Sequence, residues 1–197
     1  MEEIKRRDQA IGDVLGGVVK LPAPIAADLC YVQLRKICEI IGLSCLVAHG
    51  DLEGVRTSAL QKTYKPDFII KQMERLHRDF YPMPGIQRLD LVTGRPVEIL
   101  PMDKKFLDKA ALIALYGECG DRLHRGNVRK LLAGQEPAVD FAKIAEWRMQ
   151  AVNLLNHHSI QTSDPDWQFR IIMQASGTGD VQWSIWRKVN SKSSPTA

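Results

Sequence analysis

The stretch from Ala26 to His49, AADLCYVQLRKICEIIGLSCLVAH, restricts the fold more than any other part of the 197-residue chain. If this stretch forms an α-helix, apolar residues lie on nearly every side of it and only a narrow polar face remains. A helix that is apolar all round is stable in water only when it is buried. The stretch therefore predicts the central helix of the fold.

Three further segments have the pattern of helices that turn one face towards such a core. Apolar residues recur in them at intervals of three and four, which places them on one side of a helix. Pro66 suits the first position of one of these helices, and Asp103 suits the capping position before another. We predict a mainly α fold, a bundle of four long helices near residues 26–49, 66–79, 103–126 and 138–157.

The C-terminal part of the chain has the two-residue period of strands. WQFRIIMQA and VQWSIWRKV alternate apolar and polar residues on either side of SGTGD, which suits a turn. We predict an antiparallel β-hairpin of residues 166–175 and 181–189 that packs on the bundle through Trp167 and Trp183. A second short hairpin, or two extended pieces, is predicted in GIQRLDLVTGRPVEILP.

The chain is long enough, and with 45% hydrophobic residues apolar enough, to bury one core without disulfides. The N-terminal segment starts as a charged helical turn and breaks at Gly16-Gly17 and at two prolines, so we predict a loosely attached arm. The predicted organisation is an arm, the helical bundle, the hairpin and a disordered polar tail, in residues 1–25, 26–160, 161–190 and 191–197.

Charge and cysteine content limit the classes of function. A net charge of +4 and an isoelectric point near 8.9 permit an anionic partner without demanding one. Cys30, Cys38 and Cys45 fall inside the apolar central stretch, which predicts buried free thiols. Because no apolar leader and no run of eighteen apolar residues occurs, we expect no membrane span and a cytoplasmic location.

Two polar stripes interrupt the apolar helices. Arg35 and Glu39 are four residues apart and able to pair, and Tyr116, Gly120 and His124 share a second face at the same spacing. We predict that the stripes face each other and form a catalytic site of Arg35, Glu39, Tyr116 and His124. The alternative is an internal ion pair that orients two helices, with His124 as a packing residue.

The densest basic cluster of the chain follows the second stripe. Arg122, Arg125, Arg129 and Lys130, with Asn127 between them, form a candidate nucleic-acid-binding surface. The alternative is a solvated helix end, since basic side chains stabilise the negative end of the helix dipole.

YVQLRKICEIIGLSCLVAHGDL, LHRDFYPMP and LYGECGDRLHRGN resemble an uncharacterised bacterial family of HEPN-like helical proteins, named for nucleotide binding in higher eukaryotes and prokaryotes. The resemblance covers residues 26–160. It implies a helical bundle that is commonly a homodimer. It also implies a metal-independent endoribonuclease of toxin–antitoxin, phage-defence or RNA-processing systems, in which an arginine precedes a histidine on one helix.

The chain departs from the arginine-to-histidine spacing of that class, which has four to six intervening residues. No basic residue stands there before His124, where the chain has Gly117, Glu118 and Cys119. Arg122 and Arg125 flank the histidine instead, and Arg35 would face it if the two stripes are opposed. Any of the three would supply the cation that RNA cleavage requires.

Two functions from different classes follow. The first is binding or cleavage of RNA or a nucleotide, and the second is a catalytically silent helical module that binds a protein partner or itself. We expect no metal and no cofactor, because Cys-x-x-Cys and His-Glu-x-x-His motifs are missing and SGTGD lacks the lysine of a phosphate loop.

Overall fold

The computed structural model describes residues 1–93, 96–123 and 139–187. The helices within them are α1 (Glu2–Leu15), α2 (Ala23–Ala48), α3 (Ser58–Gln61), α4 (Pro66–Leu76), α5 (Lys109–Leu123) and α6 (Phe141–Leu155), and a 3-10 turn spans Glu53–Arg56. The strands are β1 (Met83–Leu89), β2 (Pro96–Pro101), β3 (His157–Gln161), β4 (Trp167–Ile172) and β5 (Gln182–Arg187).

Helix α2 lies at the centre of the fold, and its prediction as the central helix is confirmed. It packs against α1, α4, α5 and α6. Cys30, Leu34 and Cys38 have no exposed surface, as expected for a helix covered on several sides. Gly42 lets α4 approach closely, because a Cβ atom there would lie 3.3 Å from the Cα atom of Pro66.

Helix α1 replaces the predicted N-terminal arm, so the prediction of a loose segment is wrong. Ile4 and Ile11 are 2% and 0% exposed, and both belong to the main hydrophobic core. Asp8 accepts hydrogen bonds from Nε and Nη2 of Arg148 in α6 at 2.7 and 2.9 Å. The helix has few apolar residues, but they are sufficient to fix it on the core because it packs on the apolar surface of α2 and forms an ion pair with α6.

Helix α5 begins later than predicted. The Asp103 cap is wrong, because the side chain of Asp108 accepts the hydrogen bond from the Ala111 amide at 2.8 Å and the helix starts at Lys109. The preceding segment is instead tied to α6, where the amide of Leu107 donates to the carbonyl oxygen of Gln150 at 3.0 Å.

The strands form one five-stranded antiparallel sheet in the order β2-β1-β3-β4-β5. Both predicted hairpins, β1–β2 and β4–β5, are confirmed as antiparallel pairs. The predicted fold, a helical bundle with a C-terminal hairpin, is corrected, because β3 joins the two hairpins into a single sheet. The fold is therefore mixed, with helices on one part of a sheet that is larger than predicted.

Strand β3 occupies residues that were assigned to the end of the last long helix and to the bundle–hairpin boundary. Helix α6 ends at Leu155, and the chain continues directly into the strand at His157. The Met173 amide donates to the Asn156 carbonyl oxygen at 2.8 Å, which ties the helix end to the chain after β4. The predicted boundary between residues 160 and 161 falls inside this strand.

The helical bundle does not cover the apolar face of the β4–β5 hairpin, contrary to the prediction. Trp183 is 68% exposed, Ile185 is 51% exposed and Trp167 is 39% exposed. Only the turn end is buried, where Met173 and Ala175 are 5% and 6% exposed. The predicted tail, residues 191–197, lies outside the described residues. No helix among the described residues is both long and apolar enough to cross a membrane.

Candidate functional site

The predicted stripes meet along the contact between α2 and α5. We call this contact the polar seam, formed by Tyr31, Arg35 and Glu39 of α2 with Tyr116, Glu118 and Arg122 of α5. The three α2 residues are four positions apart and so share one face of that helix. Packing of α2 against α5 brings the two sets together.

Arg35 lies at the middle of the polar seam and touches both helices. Its Nη2 donates to the Tyr116 hydroxyl oxygen at 2.9 Å, and its Nε lies 3.3 Å from Oε1 of Glu39. Gly120 leaves room for the guanidinium, since a Cβ atom there would lie 3.4 Å from Nη1. The predicted approach of Arg35 to the Tyr116 stripe is confirmed.

Glu39 is a deeply buried charge of the polar seam. Its side chain is 8% exposed, whereas that of Arg35 is 22% exposed. Lys36 supplies a second cation, with Nζ 2.8 Å from Oε2 of Glu39. The carboxylate is thus paired twice, which offsets the cost of burying it.

Tyr116 is the half-buried end of the polar seam. Burial raises the pKa of its phenol, while the positive charge of Arg35 opposes that shift. The phenol therefore keeps its proton at neutral pH. Its oxygen accepts from Arg35, and its own hydrogen has no acceptor among the described residues. Arg35 and Tyr116 together offer a cation and a proton donor at a surface that solvent reaches.

The other end of the polar seam is closed by mutual pairing. Glu118 accepts from the Tyr31 hydroxyl at 2.8 Å and from the Trp147 indole at 3.3 Å, and Lys143 pairs with it at 2.8 Å. Arg122 is 7% exposed and donates from Nε to Asp28 at 2.9 Å. The structure thus places Arg122 inside the helix packing and not on an open basic surface.

Most of the predicted basic surface and the predicted base lie outside the described residues. These are His124, Arg125, Asn127, Arg129 and Lys130. Their roles in catalysis and nucleic-acid binding stay predictions. The described part of α5 ends at Leu123, directly before His124.

A cavity of about 600 Å³ lies between the end of α6 and the sheet, and sequence reasoning missed it. Nδ1 of His157 lies 3.1 Å from the Gly85 carbonyl oxygen, a geometry that leaves Nε2 as an acceptor when Nδ1 carries the proton. Burial lowers the pKa of this imidazole, so it is neutral at pH 7. Five carboxamide side chains line the same space: Gln87, Asn153, Asn156, Gln174 and Gln182.

Comparison with protein-family models, with curated proteins and with solved structures gives no match for the chain. Within residues 1–93, 96–123 and 139–187, no group of three or more His, Cys, Asp or Glu side chains is arranged to hold a metal ion. Arg35 with Tyr116, and separately the neutral His157, are polar groups of the described residues that are able to contact a ligand.

Proposed function

We propose that the chain binds RNA or a nucleotide through the open end of the polar seam, as the HEPN-like resemblance implies. One observation supports this above the others: Nη2 of Arg35 lies 2.9 Å from the hydroxyl oxygen of Tyr116, and the phenolic hydrogen has no acceptor among the described residues. A phosphate accepts hydrogen bonds from both groups, and hydrogen bonds from a charged donor are stronger than neutral ones.

The guanidinium remains able to bind a phosphate although it is paired with Glu39. Arginine carries five N–H donors in a fixed fork. Nε of Arg35 faces Glu39 and Nη2 donates to Tyr116, and Nη1 contacts no carboxylate in the described part of the chain. Gly120, in the last turn of α5, has no side chain to crowd Nη1 and so leaves space beside this donor.

If the protein cleaves RNA, the reaction we propose is transesterification. His124 takes the proton of a 2′-hydroxyl, the 2′-oxygen attacks the adjacent phosphorus, and the bond from phosphorus to the 5′-oxygen of the next nucleotide breaks as that oxygen takes a proton from water. The products are a 2′,3′-cyclic phosphate and a 5′-hydroxyl end. Arg35 stabilises the charge on the phosphorane oxygens, and Tyr116 donates a hydrogen bond to the same group.

The test is incubation of the purified protein with labelled single-stranded RNA in the presence of EDTA. We expect cleavage by the wild type, none by His124→Ala, and a loss of roughly tenfold or more with Tyr116→Phe. Tyr31→Phe is the matched control, because its hydroxyl donates to Glu118 at the closed end of the polar seam, and it should cleave like the wild type.

Folded wild-type protein that neither cleaves nor binds RNA would contradict the proposal. The second candidate function, a catalytically silent module that binds a protein or a second copy, would then take precedence. It is favoured by a separate observation, the exposure of Trp183 and Ile185 on β5. Measuring RNA binding and self-association on the same preparations separates the two functions.

A further inference from the structure

The two edges of the sheet differ in their protection against pairing with another strand. Within the described residues, the sheet ends at β2 on one side and at β5 on the other. Strand β2 carries Pro96 and Pro101 at its two ends, and proline has no N–H to donate to a neighbouring strand. Strand β5 contains no proline, and Arg187 at its end is its only charged residue. The β5 edge therefore lacks the features that prevent edge pairing.

Large apolar side chains are exposed along the β5 edge. All of its residues are exposed, and Trp183, Ile185 and Trp186 are 68%, 51% and 47% exposed. Within the described residues β5 pairs with β4 alone. Large aromatic side chains gathered at one open edge are typical of an interaction surface.

The hairpin is held in position although its outer strand is exposed. Lys5 of α1 donates from Nζ to the carbonyl oxygen of Gly179 at 2.6 Å. The amide of Val181 donates to Oε1 of Glu2 at 3.3 Å. Because the turn is fixed to α1 and Met173 is buried, a partner strand would meet an edge that is already ordered and would lose little entropy in binding it.

We propose that β5 of one copy pairs antiparallel with β5 of a second copy, so that two five-stranded sheets join into one about a twofold axis. For adjacent antiparallel strands this axis is normal to the sheet. Residues on one face of the sheet in the first copy therefore lie on the same face of the joined sheet in the second copy. Odd-numbered residues of β5 must then lie opposite odd-numbered residues of the partner. The proposal stands on this edge alone and is independent of the function of the polar seam.

The apolar residues of β5 match themselves under this symmetry. Trp183 lies opposite Ile171 of β4 and Ile185 lies opposite Phe169, so all four share one face of the sheet. In the register centred on Ser184, Trp183 meets the partner's Ile185 on both sides of the axis. One continuous apolar surface then crosses the interface.

Charge also favours a second copy in this register. The pairing that places Trp183 opposite the partner's Ile185 places Arg187 opposite the partner's Val181. No two like charges of the strand then lie opposite each other, and the partner's Asp180 follows next along the edge. The apolar residues of β5 pair with each other across the twofold axis, and its only charge lies at one end. Both features fit pairing with a second copy of the same strand.

The experiment measures the molar mass of the full chain by light scattering over a range of protein concentrations. We expect a dimer. Trp183→Lys and Ile185→Glu should each raise its dissociation constant by roughly tenfold or more, because each places a charge in the apolar interface. Leu91→Lys is the control, since Leu91 is fully exposed at the other end of the sheet and should leave the dimer intact. Circular dichroism checks that every variant is folded.

Mixing the two variants tests the register. In the proposed register the lysine at 183 of one copy faces the glutamate at 185 of the other, so the mixture should form a heterodimer. Wild-type protein that stays monomeric, a dimer that Trp183→Lys leaves unchanged, or a mixture that remains monomeric would each overturn the proposal. So would a monomer that dimerises only after removal of residues 190–197, because this chain's own segment would then occupy the edge.

Discussion

At the scale of single residues, the neighbouring histidines at the start of β3 are each fixed by a backbone carbonyl. His157 points to the cavity side of the sheet, where Nδ1 faces the Gly85 oxygen, and His158 points to the other side, where Nδ1 lies 2.9 Å from the Leu155 oxygen. His158 is 3% exposed. Burial lowers its pKa to about 4. The folded protein therefore holds this imidazole in its neutral form.

This histidine predicts a loss of stability in mild acid. The unfolded state takes up a proton near the ordinary pKa of 6.5, whereas the folded state resists it down to about 4. Its contribution is thus fully present above pH 6.5 and is lost as the pH falls towards 4, by at most about 3 kcal/mol. Urea unfolding at a series of pH values measures this loss.

The matched variant is His158→Gln, whose amide is able to donate to the Leu155 oxygen and does not titrate. Its free energy of unfolding should fall less steeply between pH 6.5 and 4 than that of the wild type. A remaining slope is expected from His157, whose pKa is also lowered by burial. Equal slopes for the two proteins would show that His158 is not buried as the structure has it.

The candidate site was predicted from sequence only where its residues share a helix face. Spacing by four identified Arg35 with Glu39 and placed Tyr116 on a second stripe, and the two stripes met because few other polar surfaces interrupt the core. Spacing cannot reveal which charges become paired by distant residues, so Asp28 as the partner of Arg122 was not predicted. The His157 cavity was missed because strand and helix residues far apart in the chain form it.

At the scale of elements, long periodic patterns predicted the structure better than short ones. The buried helix α2 and both hairpins were recognised because their periods extend over many residues or over both sides of a turn. Strand β3 was missed because its five residues follow α6 closely and are too few to show a period of their own, and its first residue, His157, falls at the end of the predicted helix. Only the first turn of α1 was predicted, because Ile4 lies two turns before Ile11, the next of its buried residues, so the apolar stripe is sparse.

The sequence prediction and the structure place the cap of α5 at different residues, and unfolding of two variants distinguishes them. Asp108→Ala removes the acceptor of the Ala111 amide and should lower the free energy of unfolding by about 1 kcal/mol. Asp103→Ala is the control and should change it little, because Asp103 lies outside the helix. If chemical unfolding shows a larger loss of free energy of unfolding for Asp103→Ala than for Asp108→Ala, the helix begins where the sequence predicted.

At the scale of the whole molecule, helices and sheet share one core. Buried residues of α1, α2, α4, α5 and α6 form a single hydrophobic cluster, and Met173, which follows β4, belongs to it. The four cysteines lie in this cluster with 0% exposure and none is in a disulfide, as the sequence predicted. Burial raises the pKa of Cys30 to about 11 and those of Cys45 and Cys119 to about 12.

Thiol labelling should therefore report unfolding of the whole core. The thiolate is the reactive form, and these thiols are both protonated and covered in the folded state. We expect Cys30, Cys38, Cys45 and Cys119 to react with an aromatic disulfide reagent at one common, slow rate that rises together with urea. Mass spectrometry of quenched samples measures the rate for each site. Rapid labelling of one cysteine, with the native circular dichroism unchanged, would contradict a single shared core.

The place of β3 between the two hairpins has a consequence for the order in which the chain assembles. Each hairpin closes through a short turn, but the pairing of Met83 with Ser159 must wait until α5, α6 and the chain between them have been made. During synthesis, β1 and β2 leave the ribosome well before the strand that joins them to β4 and β5. The sheet is completed last, and until then the β1 edge stands open to any strand it meets.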